Sequence, residues 1–540
     1  MSDNSNRIWA VVRGILIVLI ISLFVVHLLL LQTDGKKVSN RLSDNWSKLE
    51  LVLSQIEQNY VDSLDYDAIT EQLLPVLMKQ LDPHSIYLPP AQLKEANEEL
   101  DSNFEGIGIT FNIPQDTAIV ISVIPSGPSS RAGLIPGDKI ITIDADTVAG
   151  VQIPQDSLVR KMRGKKGTTV DIGIMRDNEM VDFTIERDKI PVNSVEVAYM
   201  INDTTGYIKL AKFSRTSYKE VLVSMLDLSV KGMKRLIFDL QGNTGGYLDQ
   251  ALLILNEFLP NGAMLVYMEG LHRNRSEFKA DGSGHFQDLE LLVLIDQNSA
   301  SSSEIVAGAL QDNDRATIIG RRSYGKGIVQ EPVYFSDNSG IRLTVARFHT
   351  ATGRCIQKPY NAGDDAYAYD IYERYRHGEM TQADSIRKND SLRFETPGGR
   401  VVYGGGGIIP DIFVPIDTTG VTDLFVKINR QALSIKFSSQ MAQRYRKELR
   451  TVETIDELDS LLDSMNLEKT FIRYVRASGI PFSYSQWKIS GEIVMTQIRA
   501  LIGRYSPIED LAFYPRLNTL DNMIRTAVEY RSDAAASLPQ

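Results

Sequence analysis

Three short segments place groups able to do covalent chemistry beside glycine or a helix start. In IDQNSASSSEIVAGALQD (295–312) an apolar run turns sharply into a helical pattern through a cluster of serines. A hydroxyl at such a turn stands beside a helix N-terminus, whose free N–H groups and dipole stabilise developing negative charge. Serine is also a common N-cap, so the cluster alone reads as a nucleophile or as a cap. In GRRSYGKGIVQEPV (320–333) a lysine, Lys326, is flanked by Gly325 and Gly327 within apolar chain. Turned inward, it is desolvated, which disfavours the ammonium and supplies an amine base; turned outward, it is a surface charge. Gln330, four residues on, either orients that amine or is a polar strand residue. In FDLQGNTGGYLDQ (238–250), Gly245 and Gly246 let the backbone approach a substrate and offer N–H groups to an oxyanion, although such turns also serve as connectors.

The elements that must position these segments follow from hydrophobic periodicity. Beyond 191 the pattern predicts strands at 206–213, 235–240, 291–296 and 316–320, alternating with helices at 217–230, 247–258 and 300–311. Such βαβ alternation implies a largely parallel sheet covered by helices, with chemistry at strand carboxyl ends. From 104 to 190 the pattern is short β-type runs (107–111, 118–124, 139–143, 169–175, 181–186) and one helical stretch at 156–164. From 42 to 100 two or three helices are expected, closed by LDPHSIYLPP (81–90), where His84 reads as structural. The stretch 358–407 is a polar, glycine-rich excursion before IIPDIFV (408–414), and from 417 the pattern is helical without a chemical motif.

Composition narrows the classes. A chain of 540 residues holds several domains, and 58 Lys+Arg against 68 Asp+Glu, a net charge of −10 without a basic block, argue against a nucleic-acid partner. Cys355 is the single cysteine, so no intrachain disulfide forms, and the 6 histidines lack HExxH spacing. No metal site and no cofactor are expected. The apolar run 14–31, broken only by Ser22 and His27 and preceded by Arg7 and Arg13, is just long enough to cross a bilayer at about 1.5 Å per residue. No small-residue cleavage site follows, so an uncleaved single-pass anchor with the body outside is expected.

Taken together, the segments resemble the carboxyl-terminal processing peptidases, or tail-specific proteases, which are serine peptidases with a Ser/Lys dyad. The resemblance runs from about 52 to 414 and rests on LDPHSIY, DLQGNTGG, SASSSEI, YGKGIVQ and the TGRCIQ-to-IIPDI closure. Within it, 104–190, with its GIGI turn (106–109) and AGLIPGD, resembles a PDZ domain, which receives a peptide as an added strand. The resemblance implies an α/β catalytic core of the crotonase/ClpP-like kind; the N-terminal transmembrane helix, the insertion 358–407 and the helical C-terminal extension lie outside its pattern. The expected domains are 1–37 anchor, 38–103 helical, 104–190 PDZ, 191–416 catalytic with the insertion, and 417–540 helical. Carried over by position, the nucleophile is Ser301. The base is Lys326, 25 residues later, assisted by Gln330. The oxyanion donors fall on Gly246 or Gly245 and on the N–H of Ser302.

The peptide's carboxylate would meet Gly106, Ile107, Gly108 and Ile109, with Arg163, in the basic stretch 160–166, sensing occupancy as the PDZ pivots on links near 101–105 and 187–193. Ser302 stands where many relatives have alanine, leaving Ser299 and Ser303 as rival nucleophiles, and Gln241 stands for a frequent arginine. The implied partners are proteins or peptides with accessible C-termini and the membrane, with a homo-oligomer open. The implied location is the bacterial inner membrane with the body on the periplasmic side. The rivals are a PDZ adaptor with an idle α/β body and a crotonase-like acyl-transfer or lyase enzyme, which would carry no PDZ. A Ser/His/Asp protease has less support, because His272, His285 and His349 lack neighbouring motifs.

Overall fold

Apolar runs such as LLVLI are continuous rather than alternating because their strands are covered on both faces. The computed structural model, which describes residues 47–114 and 116–531, places them in a six-stranded sheet. Its order is Val195–Met200, Thr205–Leu210, Arg235–Asp239, Glu290–Ile295, Thr317–Gly320, Ile412–Phe413. The first pair is antiparallel and the others are parallel. On one face Phe238 and Val293 pack in a core with Val221, Ile254 and Val306 from the helices Ser217–Val230, Leu248–Asn256 and Ser302–Asp312. The opposite face, with Tyr207, Ile237, Leu292 and Ile319, is sealed by Met523, Ile524 and Ala527 of the late helix Asn522–Glu529. The expected alternation of strands and helices is present, with element ends shifted by a few residues.

A second, antiparallel sheet was not anticipated. Gly340–His349 pairs with Ile86–Leu88, Met264–Gly270 and Ile328–Tyr334, and Arg273–Lys279 lies outside Met264–Gly270. Its register sets Gln330 opposite Thr344 and Pro332 opposite Arg342.

In the 104–190 region a five-strand path runs Ile109–Asn112, Ala118–Val123, Lys139–Ile143, Thr169–Arg176, Glu179–Glu186, with the helices Pro128–Ala132 and Gln155–Met162. The strand expected from 107 begins at Ile109, because Gly108 takes φ +75°. Gly106 instead ends the strand Asn103–Gly106, which pairs with Asp188–Pro191. The two links expected to act as pivots are therefore a hydrogen-bonded ribbon.

The polar excursion is built into the body. Its helix Asp364–Arg376 buries Tyr367 and Arg374, and the pair Arg393–Glu395 and Val401–Tyr403 forms a hairpin. The C-terminal region is helical as expected, from Asp423–Arg430 to Asn522–Glu529. Its core, with Phe437, Phe471, Trp487 and Ile498, also takes in Ile119 of the strand Ala118–Val123. Arg446 donates to Asp138 at 2.6 Å across the same boundary.

Of the described residues, 47–76, including a helix over 47–59, form a unit separate from that of Leu77 onward. Among the described residues no helix is long and apolar enough to cross a membrane, and the run 14–31 lies outside them.

Candidate active site

The glycine turn after Arg235–Asp239 and the serine turn after Glu290–Ile295 are fastened to each other. Ala300 N–H donates to Asn243 O at 3.0 Å, and Ser303 Oγ donates to the same carbonyl at 2.8 Å. Ser302 Oγ donates to Gly246 O at 2.9 Å and Ser299 Oγ to Leu240 O at 2.8 Å. Three of the four serines thus stitch one turn to the other and are buried. Ser301 and Ser302 both line a cleft of about 740 Å³ together with Lys326, Gln330, Gly245 and Gly246, but among the described residues the Ser301 hydroxyl alone of the four donates to no carbonyl. Ser301 sits at φ +55° and ψ −114°, a backbone conformation that costs a residue with a Cβ about 1–3 kcal/mol and persists only where its surroundings enforce it.

Glu304, one turn into the helix, does the enforcing. It is fully buried, and its Oε2 accepts from Ser301 N–H at 2.9 Å and Lys326 N–H at 2.8 Å. Its Oε1 accepts from Gly325 N–H at 2.7 Å and Ser323 Oγ at 2.5 Å. One carboxylate therefore holds the backbone of both turns. Burial pushes its pKa above the usual carboxylate value, while the four donors pull the other way. Sequence reasoning passed over Glu304, although a Ser-x-x-Glu capping box is a recognisable signal.

Lys326 is half-buried, and its Nζ donates to Gln330 Oε1 at 3.1 Å. Gln330 Nε2 in turn donates to His84 O at 2.6 Å, fixing the amide's orientation. Desolvation, followed by the charge of Arg342, pulls the lysine's pKa below its ordinary value. Among the described residues no hydrogen bond joins Nζ to the Ser301 hydroxyl.

His84, read as structural, lies 2.7 Å from the Tyr367 hydroxyl, and burial with the nearby Lys326 charge pulls its pKa down to about 4. Lys358 sits 4.1 Å from the ring centroids of both Tyr324 and Tyr367. The 358–407 segment thus walls the lysine loop, which its polar composition concealed.

The glycines differ. Gly245 sits at φ +102°, and a Cβ on it would come within 2.7 Å of Ser301 Cβ. Its N–H, however, donates to Asn243 Oδ1 at 2.9 Å. Gly246 follows Phe213 so closely that a Cβ would lie 2.0 Å from Phe213 O. Among the described residues no acceptor binds the N–H of Gly246 or of Ser302.

In the β-rich domain, Ile109–Asn112 is an edge strand, and Gly106, Ile107 and Gly108 lead into it. Arg163 is tied to Glu98 at 3.2 Å and lies 4.7 Å over the Phe104 ring. Lys161 and Lys166 of the same basic stretch pair with Asp146 and Asp188. Among the described residues no three His, Cys, Asp or Glu side chains group as a metal would require.

Comparison with known proteins places this geometry. Residues 204–364 match Peptidase family S41, 106–186 match the PDZ domain, and 424–506 match a family of unknown function. The chain is 32% identical over 326 residues to the carboxy-terminal processing protease CtpA of Bacillus subtilis, covering 60% of this chain and 69% of that one. It is 31% identical over 340 residues to the carboxy-terminal-processing protease of Bartonella bacilliformis, covering 62% and 77%. Against a probable CtpA-like serine protease of Staphylococcus aureus, 32% identity spans 58% of this chain and 62% of the relative. Among solved structures, a photosystem II D1 C-terminal processing protease aligns over 70% of this chain and 90% of its own, at 23% identity and a TM-score of 0.36. The PDZ domain of a carboxy-terminal protease from Vibrio cholerae, in complex with peptide, aligns over 17% of this chain and 99% of its own, at 31% identity and a TM-score of 0.16. With a PDZ domain set ahead of a catalytic sheet whose turns carry serine, lysine and paired glycines, the chain belongs to peptidase family S41 and is a carboxyl-terminal processing serine peptidase.

Proposed function

We propose that the protein is a membrane-anchored endopeptidase that receives protein C-terminal tails on its PDZ domain and cleaves them with a Ser301/Lys326 dyad. The observation that carries this reading is the division of labour among the serines. Ser299, Ser302 and Ser303 spend their hydroxyls on neighbouring carbonyls, while Ser301, which shares the cleft with Lys326, keeps its hydroxyl proton uncommitted among the described residues.

Ser301 Oγ attacks the peptide carbonyl carbon and its proton passes to neutral Lys326 Nζ, which Gln330 orients. The oxyanion forms beside the N–H groups of Gly246 and Ser302. The C–N bond breaks as Lys326 returns the proton to the leaving amine. Water then loses a proton to Lys326 Nζ as it attacks the acyl carbon, and the Oγ–C bond breaks as that proton passes to Ser301 Oγ, releasing the acyl group as a carboxylic acid. The tail docks along Ile109–Asn112, with its carboxylate on the loop from Gly106 to Ile109. The run 14–31 anchors the chain in a bacterial inner membrane, with the body on the periplasmic side.

Ser301→Ala protein should be folded and inert, and Lys326→Arg should be as inactive as Lys326→Ala, because arginine stays protonated. Hydrolysis surviving in either serine or lysine variant removes that residue from the mechanism. Carbonate extraction of membranes holding the full chain or a chain lacking 1–37 tests the anchor; release of both alike rejects it.

A further inference from the structure

The catalytic cleft carries more positive charge than its chemistry uses. Besides Lys326 it is lined by Lys212, Arg215 and Arg342, and, among the described side chains, by one carboxylate, Asp249. Asp249 is taken by Arg215 at 3.2 Å, and the same guanidinium lies 3.9 Å over the Tyr247 ring. Among the described side chains neither Lys212 nor Arg342 has an ion-pair partner. This pocket of cations sits on a chain whose net charge is −10, so neither general solubility nor nonspecific polyanion binding accounts for it.

The position of Arg342 is set by strand pairing. It lies in Gly340–His349, opposite Pro332 of Ile328–Tyr334 on one side and Ile86 on the other. Gln330, Pro332 and Tyr334 alternate along their strand and all line the cleft, as do Arg342 and Phe348 along theirs. Arg342 is half-buried on this face, close enough to Lys326 to act on its charge state. A partly desolvated guanidinium without a carboxylate is a costly arrangement that an incoming carboxylate relieves through a charge-assisted, bidentate contact.

We infer that Arg342, supported by Lys212, reads a carboxylate of the substrate in the catalytic cleft itself, close to the bond that is cut. The ligand chemistry is a peptide carboxylate, which an Asp or Glu side chain and a free C-terminus both supply. This is a recognition point separate from the PDZ loop, and it rests on the Ser301/Lys326 reading for where cleavage occurs. Arg342 is a specificity residue here, with the reacting bond left to the dyad.

The test uses the full chain and one unstructured amidated peptide in three forms. These carry Glu beside the cleaved bond, Gln at that place, or Gln with the amide replaced by a free carboxyl end two residues away. The readout is the ratio of kcat/KM for a carboxylate peptide to that for the amidated Gln peptide. The wild type should favour carboxylate by about tenfold, the worth of a typical charged hydrogen bond. Arg342→Gln should bring the ratio near one, and Arg342→Glu should bring it below one. Loss confined to the Glu peptide or to the free-ended peptide identifies the source of the carboxylate.

A failed dyad slows all peptides alike and leaves the ratio standing, so the two readings fail separately. Binding of the same peptides to Ser301→Ala protein, followed by fluorescence anisotropy, should show the same preference without turnover. Should Arg342 variants not fold, raising salt from about 0.05 to about 0.5 M should erode the wild-type ratio through screening. A wild-type ratio near one, or a ratio indifferent to both Arg342→Gln and salt, overturns the inference.

Discussion

Two buried carboxylates organise this molecule, and they differ in who binds them. Glu304 accepts three backbone N–H groups and one hydroxyl, all from turns of the catalytic domain, and among the described residues forms no ion pair. Asp138, equally buried, lies in the PDZ domain and, besides Ile135 N–H at 2.9 Å, accepts from Arg176 at 2.7 Å and Arg446 at 2.6 Å, the second arriving from the C-terminal helices. Neutral donors fix where atoms lie, because each N–H demands a direction. Guanidinium partners add charge: Arg176 grips Asp138 bidentately within the domain, and Arg446 joins it to a segment far away in sequence. The chain thus uses one kind of group for local accuracy at the dyad and for fastening a domain.

That contrast can be broken by substitution. The largest effect belongs to Glu304→Ala, which frees both turns at once. Activity should fall at least about 100-fold through misplacement of the nucleophile and base, with about 3 kcal/mol of stability lost to orphaned donors. Peptide hydrolysis and denaturant unfolding read the two separately, and near-normal turnover would show that Glu304 does not hold the site. Arg446→Ala should cost about 2 kcal/mol and raise hydrogen exchange in Lys139–Ile143, while short-peptide hydrolysis changes less than about twofold. A loss of hydrolysis comparable to that of Glu304→Ala would erase the distinction between the two hubs.

The dyad's pH dependence sharpens the catalytic side. Burial and the Arg342 charge lower the pKa of Lys326, and the proposed mechanism needs its neutral form. The kcat/KM profile should therefore rise with pH and level off below the ordinary lysine range. Arg342→Gln removes a repelling cation, so the rising limb should move to higher pH; a shift to lower pH would contradict this account. The smallest effect is expected at the surface pair of Arg273 and Glu331, both about half exposed. Arg273→Ala should cost less than about 1 kcal/mol in thermal unfolding.

The catalytic sheet and the PDZ order were legible because their signals are local: apolar runs of strand length, glycine turns and a serine-to-helix junction. Ser301, Lys326 and Gln330 were legible for the same reason, and they do converge on one cleft. Arg342 and His84 were not. Arg342 reaches the site through the pairing of its strand with Ile328–Tyr334, and His84 through its carbonyl on Gln330, so their roles depend on contacts between distant segments. The insertion was misjudged because it packs by charge and aromatic rings rather than by apolar periodicity, as in the Arg322–Glu379–Arg374 cluster at 2.7 and 2.8 Å. That the two links pair with each other was not legible, because Asn103–Gly106 and Asp188–Pro191 are individually too short to announce it.

The seal over the far face of the catalytic sheet has a consequence for synthesis. Tyr207, Ile237, Leu292 and Ile319 are covered by Met523, Ile524 and Ala527, so that core cannot close until those late residues are in place. By then the serine and lysine turns are long made, yet the sheet that aims them lacks one of its two covers. A chain cut short before about residue 520 should therefore fold poorly and hydrolyse little peptide.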